Sequence, residues 1–187
     1  MTCFLLKTYP RAYLLASLQE IAERCTLITD LTQATPAPVS FDWQGDCLVR
    51  KMQRLPSVYR HVRLPLSQEQ GWALAMQLEL AYAQGLVHGD LHPKNLFYCH
   101  QQPTMLVISD WEPALQQIRQ GRPALMATPP YVHPDDNVSQ KLSYKTDCLC
   151  FARLVLPKQG VQDYCALIQP FLAEATPFLA LARRYLP

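Results

Sequence analysis

The stretch "GLVHGDLHPKNLFY", Gly85 to Tyr98, decides how the rest of the chain is read. It gathers six polar or charged side chains, His88, Asp90, His92, Lys94, Asn95 and Tyr98, into one short segment. An apolar helix pattern leads into it and an apolar strand pattern leads out. Solvated loops are polar too, but they rarely run as polar residue, Gly, Asp, Leu, polar residue, Pro between two buried elements. The segment asks for a chemistry that needs an Asp and an Asn five positions apart at the C-terminal end of a core helix.

Working outward, Ser67 to Gln70 has the spacing of a capping box, so a helix is expected to start there. It should run through Trp72, Ala75, Leu78 and Tyr82, with Gly85 just past its end. Strands are expected near residues 96–98 and 105–109. Towards the front, residues 2–7 ("TCFLLK") read as a strand. Residues 11–25 read as an amphipathic helix with Leu14, Leu15, Leu18, Ile21, Ala22 and Cys25 on one face. Residues 38–42 and 47–54 read as a hairpin around "WQGD", with Gly45 in the turn. Residues 111–144 read mostly as loop. Residues 147–156 and 161–170 read as helices, and Thr176-Pro177 opens a last short helix carrying Arg183 and Arg184. A small β-rich part therefore precedes a helical part, and the polar segment falls between them, where ligand clefts tend to form.

The 187 residues suffice for one domain or two small lobes sharing a core. Net charge is +2 and scattered, which gives no argument for nucleic acid. No apolar run is long enough for a membrane helix, and the opening "MTCFLLKTYP" lacks the basic leader and cleavage site of a signal peptide. Seven scattered cysteines without a Cys-x-x-Cys pair read as reduced thiols of a cytoplasmic protein, a reading that delivery into a host cell would also satisfy.

"LVISDWE" begins eleven residues after Asn95 and ends an apolar strand on Asp110. Asp90, Asn95 and Asp110 can then converge at one cleft. Two carboxylates and an amide suit Mg²⁺, a hard ion that shares oxygen ligands with phosphates. Phosphoryl transfer uses such a set, with a separate Asp to orient the incoming hydroxyl.

His88-Gly89-Asp90-Leu91-His92-Pro93-Lys94-Asn95 resembles the protein-kinase catalytic loop, H-R-D-L-K-P-x-N. Asp110-Trp111-Glu112 sits where that family has D-F-G. "TPPYVHPD", from Thr128 to Asp135, is similar to the end of the activation segment, T-P-x-Y-x-A-P-E. "YKTDCLCFARL", from Tyr144 to Leu154, is similar to the helix that follows. The four motifs keep the family's order and spacing over roughly residues 4–156. The resemblance implies an α+β, two-lobed protein-kinase-like fold. Its truncated N-terminal lobe of three strands and one helix would be residues 1–55, and its mainly helical C-terminal lobe residues 56–187.

It also implies roles. Asp90 would be the catalytic or orienting carboxylate, His92 would stand at the loop's Lys position, and Thr128 would contact Asp90. Asn95 and Asp110 would hold Mg²⁺. Asp147 would hold the catalytic loop from below, and Asp135 would pair with Arg183 or Arg184. Lys7 would reach the phosphates of ATP and pair with Glu23 or Glu20. Glu23 is preferred, because counting on from it places Met52 at the gatekeeper position and Gln53 and Leu55 at the ends of the hinge. Without the frame of the later motifs, Lys7, Glu20 and Glu23 are ordinary solvated charges.

The departures narrow the reading. The family's loop Arg is Gly89, and residues 112–126 hold no Ser, Thr or Tyr, so switching by activation-loop phosphorylation is not expected. His92 and Glu112 also resemble small-molecule kinases of the aminoglycoside-phosphotransferase type. No glycine precedes Gly45, so the Gly-rich nucleotide loop has no counterpart. The expected activity is transfer of the ATP γ-phosphoryl group to a hydroxyl, most simply of a protein Ser or Thr. The competing readings are a pseudokinase that only binds and a small-molecule kinase. In the family's strand order residues 2–7 would be an exposed edge, open to a protein partner or a second copy.

Overall fold

The Ser67 capping box forms as its spacing predicts. Ser67 Oγ accepts from Gln70 N and Gln70 Oε1 accepts from Ser67 N, each at 3.2 Å. Both bonds satisfy backbone donors that the first turn of a helix leaves unpaired. The computed structural model describes residues 4–10, 23, 26–28, 38–111, 131–139, 142–156 and 161–187, and in it this helix, α1, runs Gln68–Ala83. Leu74, Ala75, Leu78 and Ala81 are buried along one stripe, with Trp72 and Tyr82 packed beside them. α1 ends at Gly85, whose φ is +67°. Gly85 N donates to Tyr82 O at 2.8 Å and Leu86 N to Ala81 O at 2.9 Å. That double closure needs a left-handed residue, which glycine supplies without strain.

Two three-stranded antiparallel sheets flank this helix in the sequence. The first is β1 (Phe4–Pro10), β2 (Pro38–Gln44) and β3 (Cys47–Gln53), in the order β1-β3-β2. Gly45, at φ +58°, turns β2 into β3. β1 reaches Pro10 rather than stopping at residue 7, because β3 offers partners along its whole length, from Phe4 opposite Gln53 to Pro10 opposite Cys47. The helix read at 11–25 lies outside the described residues apart from Glu23, which is helical, as are residues 26–28.

The second sheet is β4 (Tyr59–His61), β5 (Leu96–Cys99) and β6 (Gln102–Ile108), in the order β4-β5-β6. β4 is absent from the sequence reading: three residues are too few to show alternation, and pairing with β5 makes it a strand.

Four helices follow among the described residues. α2 is Pro134–Ser139 and α3 is Tyr144–Val155. α4 is Val161–Ile168, extended by a 3₁₀ turn at Gln169–Phe171, and α5 is Pro177–Tyr185. α2 falls within the stretch of residues 111–144 that reads mostly as loop. α3 starts at Tyr144, not 147, because Ser143 caps it through Lys145 N. α1 packs on α5, on α3 and on β6 around Leu74, Leu78, Leu91, Ile108, Phe151 and Phe178. At Gly71 an added Cβ would come within 2.6 Å of Leu186 Cδ1, so α1 approaches the chain end closely. Leu48 of β3 and Ile28 belong to the same apolar core. The class is α+β. Among the described residues no helix is long and apolar enough to cross a membrane.

Candidate active site

The loop after α1 is anchored by Leu91, which is fully buried, and clamped by Asp147 of α3. Asp147 Oδ2 accepts from His88 N and Oδ1 from Gly89 N, both at 2.7 Å. The carboxylate thus fixes two successive backbone donors of a loop in which Gly89 has φ +77°. Burial pushes the Asp147 carboxyl up to about 7, and the two N–H groups pull it back down.

Three histidines repeat one local device. Asp90 N donates to His88 Nδ1 at 3.2 Å, Lys94 N to His92 Nδ1 at 3.1 Å, and Asp135 N to His133 Nδ1 at 3.2 Å. Each ring caps the backbone two residues on, much as an Asp or Asn side chain would. A backbone N–H can only donate, so each Nδ1 presents its lone pair and each neutral ring carries its proton on Nε2. In His88 that proton points at Ser109 O, 2.8 Å away. The bond ties the loop to the end of β6, next to Asp110. Ser109 N and Oγ also donate to Asn95 O, at 2.8 and 3.3 Å.

Asn95 and Asp110 are therefore joined through Ser109, and Asn95 is joined to Asp90 as well: Asn95 Nδ2 donates to Asp90 O at 2.9 Å. With Nδ2 so engaged, the oxygen of the buried Asn95 amide is the atom left for another ligand. Asp110 has φ +61°, the left-handed region that a non-glycine residue enters at a cost. Asp tolerates it better than most, and such conformations gather at functional sites. Trp111 follows, buried edge-on against His88 with Nε1 donating to Ile108 O at 3.0 Å. Among the described residues no three His, Cys, Asp or Glu side chains gather around one point. An amide oxygen and a carboxylate, the donor types that Asn95 and Asp110 carry, are of the kind a hard cation takes.

The other expected site residues fall as follows. His92 Nε2 lies 3.5 Å from Asp90 Oδ2. Lys7 pairs with Arg50 across β1 and β3, two positions along from the pair Leu5–Met52, and Gln53 closes β3 opposite Phe4. Leu55 is half-buried just beyond, and Glu23 is exposed. Thr128, Glu20 and Glu112 lie outside the described residues. The pairing of Asp135 with Arg183 or Arg184 is corrected: Asp135 Oδ2 accepts from Lys145 Nζ at 2.7 Å. Lys145 sits in the first turn of α3, next to α2, whereas both arginines are exposed on α5.

Two residues with structural weight escaped the sequence reading. Asp136, beside the exposed Asp135, is buried and accepts from Ser143 N, Ser143 Oγ and Thr146 Oγ1 at 2.8, 2.6 and 2.6 Å. The doublet Asp135-Asp136 gives no sign which carboxylate turns inward. Glu79 of α1 accepts from Phe178 N and Leu179 N at 3.0 and 3.1 Å, capping α5 from 99 and 100 positions away. Only its place on the half-buried side of α1 could have hinted at it. No protein-family model matches the chain, and no curated protein matches it either.

Proposed function

We propose that the chain is a minimal kinase-like phosphotransferase that moves the γ-phosphoryl group of ATP to a hydroxyl, with a protein Ser or Thr as acceptor. One observation carries the reading. Asp90 and Asn95 belong to a single hydrogen-bonded network, fastened beneath by Asp147 and sideways by His88 and Ser109, the chain neighbour of Asp110. A loop that only connects α1 to β5 has no use for so many constraints around oxygen-bearing residues. In this reading Asp90 orients the acceptor hydroxyl. Asn95 and Asp110 would hold Mg²⁺, which neutralises phosphate charge. Lys7, with Glu23, would meet the phosphates from β1, and Thr128 would approach Asp90. The adenine would lie beside Met52 and the exit from β3 at Gln53 and Leu55. The division into residues 1–55 and 56–187 falls between the two sheets, and the order β1-β3-β2 is the one a trimmed kinase lobe would keep. β1 is then an edge strand with Leu6 67 % exposed. That supports a protein partner or second copy on it.

A kinase-shaped binding protein is the second reading. It is favoured by His92, an imidazole that caps Lys94 N where the resembled loop has a lysine with a fixed positive charge.

A thermal-unfolding titration with ATP, with and without Mg²⁺, tests nucleotide binding. Ligand at about a hundredfold above Kd adds roughly 2.7 kcal/mol of stability. A shift that needs Mg²⁺ is expected. No shift at millimolar ATP would sink the phosphotransferase reading for the isolated chain and leave the kinase-shaped binding protein. Asp90→Asn then separates them, since it should abolish transfer while leaving the ATP shift in place.

A further inference from the structure

We infer that His92 is a positioning residue that aims the Asp90 carboxylate as a hydrogen-bond donor through Nε2; the inference rests on the reading of Asp90 as the orienting carboxylate. Lys94 N occupies His92 Nδ1 at 3.1 Å, so the neutral ring holds its proton on Nε2. Nε2 is the atom that faces Asp90 Oδ2 at 3.5 Å. The turn itself therefore sets the direction of donation. The separation is long for a settled N–H···O bond, and catalytic hydrogen bonds of this kind tighten when ligand closes the site.

Residue 92 is held through its backbone and its ring. Asn95 N donates to His92 O at 2.9 Å, Pro93 restricts the backbone behind it, and the Tyr131 ring lies 6.3 Å away, centroid to centroid. A lysine at position 92 could not cap Lys94 N–H, having no acceptor, and would bring its donor to Asp90 only on a flexible stem. Holding Oδ2 restricts rotation of the carboxylate about Cβ–Cγ, which sets where the other oxygen points. Orientation of the hydroxyl-accepting oxygen is a property that transfer rates feel steeply.

Two substitutions divide the ring's two tasks. An Asn side chain reaches as far as Nδ1, so His92→Asn keeps the cap on Lys94 N and loses Asp90. A Gln side chain reaches as far as Nε2, so His92→Gln keeps a donor near Asp90. With ATP, Mg²⁺ and water as the acceptor, His92→Asn should lower kcat about 10- to 100-fold with KM for ATP held within about twofold. His92→Gln should recover most of kcat. Native-like Tm in both variants is the control. Equal kcat in native protein and His92→Asn would overturn the inference, leaving His92 as a turn cap only.

Two spectroscopic measurements decide the geometry without any turnover. The ¹⁵N shifts of the His92 ring should show the Nε2–H tautomer; the Nδ1–H tautomer overturns the assignment. The ¹³Cγ shift of Asp90 should move in His92→Asn and stay near native in His92→Gln. A shift unmoved in both overturns it as well. If the native chain transfers no phosphate to water, these two shifts still decide whether His92 aims Asp90.

Discussion

Replacing Asp147 by Ala tests the clamp on which the whole site depends. The substitution removes the acceptors of His88 N and Gly89 N, both buried and both held at 2.7 Å. Each orphaned donor costs about 1–3 kcal/mol, so the loss should be about 4 kcal/mol. For a domain of this length each kcal/mol is worth roughly 2–4 °C, so Tm should fall by roughly 8–16 °C. The loss should also depend on pH. Asp147 has a folded-state value raised from 3.8 to about 7, chiefly by burial. A carboxyl raised in the folded state binds more protons there than in the unfolded chain, so native stability falls as pH rises from about 4 to about 7. That shift amounts to about 4 kcal/mol over the window. Asp147→Ala removes the titrating group, so its Tm deficit should be largest near pH 5 and shrink towards pH 8. Asp147→Asn keeps one acceptor and no titration, and should fall between the two at pH 5. Differential scanning calorimetry of the three proteins at pH 5, 6, 7 and 8 measures all of this. A Tm within about 2 °C of native at pH 5 for Asp147→Ala would refute the clamp. A deficit constant with pH would refute the dominance of burial over the two N–H bonds.

Glu79→Ala should remove the only side-chain cap seen on α5 among the described residues and cost about 1–2 kcal/mol by thermal or urea unfolding. Glu79→Gln should cost less than about 1 kcal/mol, because burial already raises the pKa of Glu79 and a neutral oxygen can still accept; equal losses would argue against the cap. Burial lowers the pKa of His133 below its usual 6.5, so its stabilising contribution is complete above pH 6.5 and is lost as pH falls through the folded-state value. Relative to His133→Asn, which keeps an acceptor for Asp135 N, the native protein should therefore lose Tm between pH 7.5 and pH 5; parallel curves would count against it. Asp135→Ala should leave the urea midpoint close to native, since its pair with Lys145 is exposed, whereas Asp136→Ala should cost about 2–4 kcal/mol, and comparable losses in urea titration would contradict the different burial of the two.

What the sequence disclosed follows the range of the interactions. The Ser67 box, the Gly85 stop and the Gly45 turn are all settled within five residues, and each forms as read. The α+β class follows from them and from the alternating stretches beside them. β4 is different: Tyr59, Arg60 and His61 become a strand only because Cys99, Tyr98 and Phe97 lie opposite. The cap that Glu79 gives α5 joins residues about a hundred positions apart. No local pattern encodes such partners. The mistaken pairing of Asp135 has the same origin. Its partner was sought by analogy on α5, and the nearest ammonium lay ten residues away on α3.

The three histidines show why even a well-marked segment left its chemistry half hidden. His88-Gly89-Asp90, His92-Pro93-Lys94 and His133-Pro134-Asp135 share one i to i+2 bond into Nδ1. The first half of each ring's environment is local and could be read from spacing alone, as an Asx-like cap. The second half is not, because what Nε2 meets depends on tertiary position. For His88 it is Ser109 O on the next strand. For His92 it is the Asp90 carboxylate two residues back, brought round by the turn itself. One device thus yields a structural tie in the first case and a site contact in the second. The difference lies in the elements that surround the loop, and Asp147, reaching up from α3, fixes the backbone at the start of that loop through His88 N and Gly89 N.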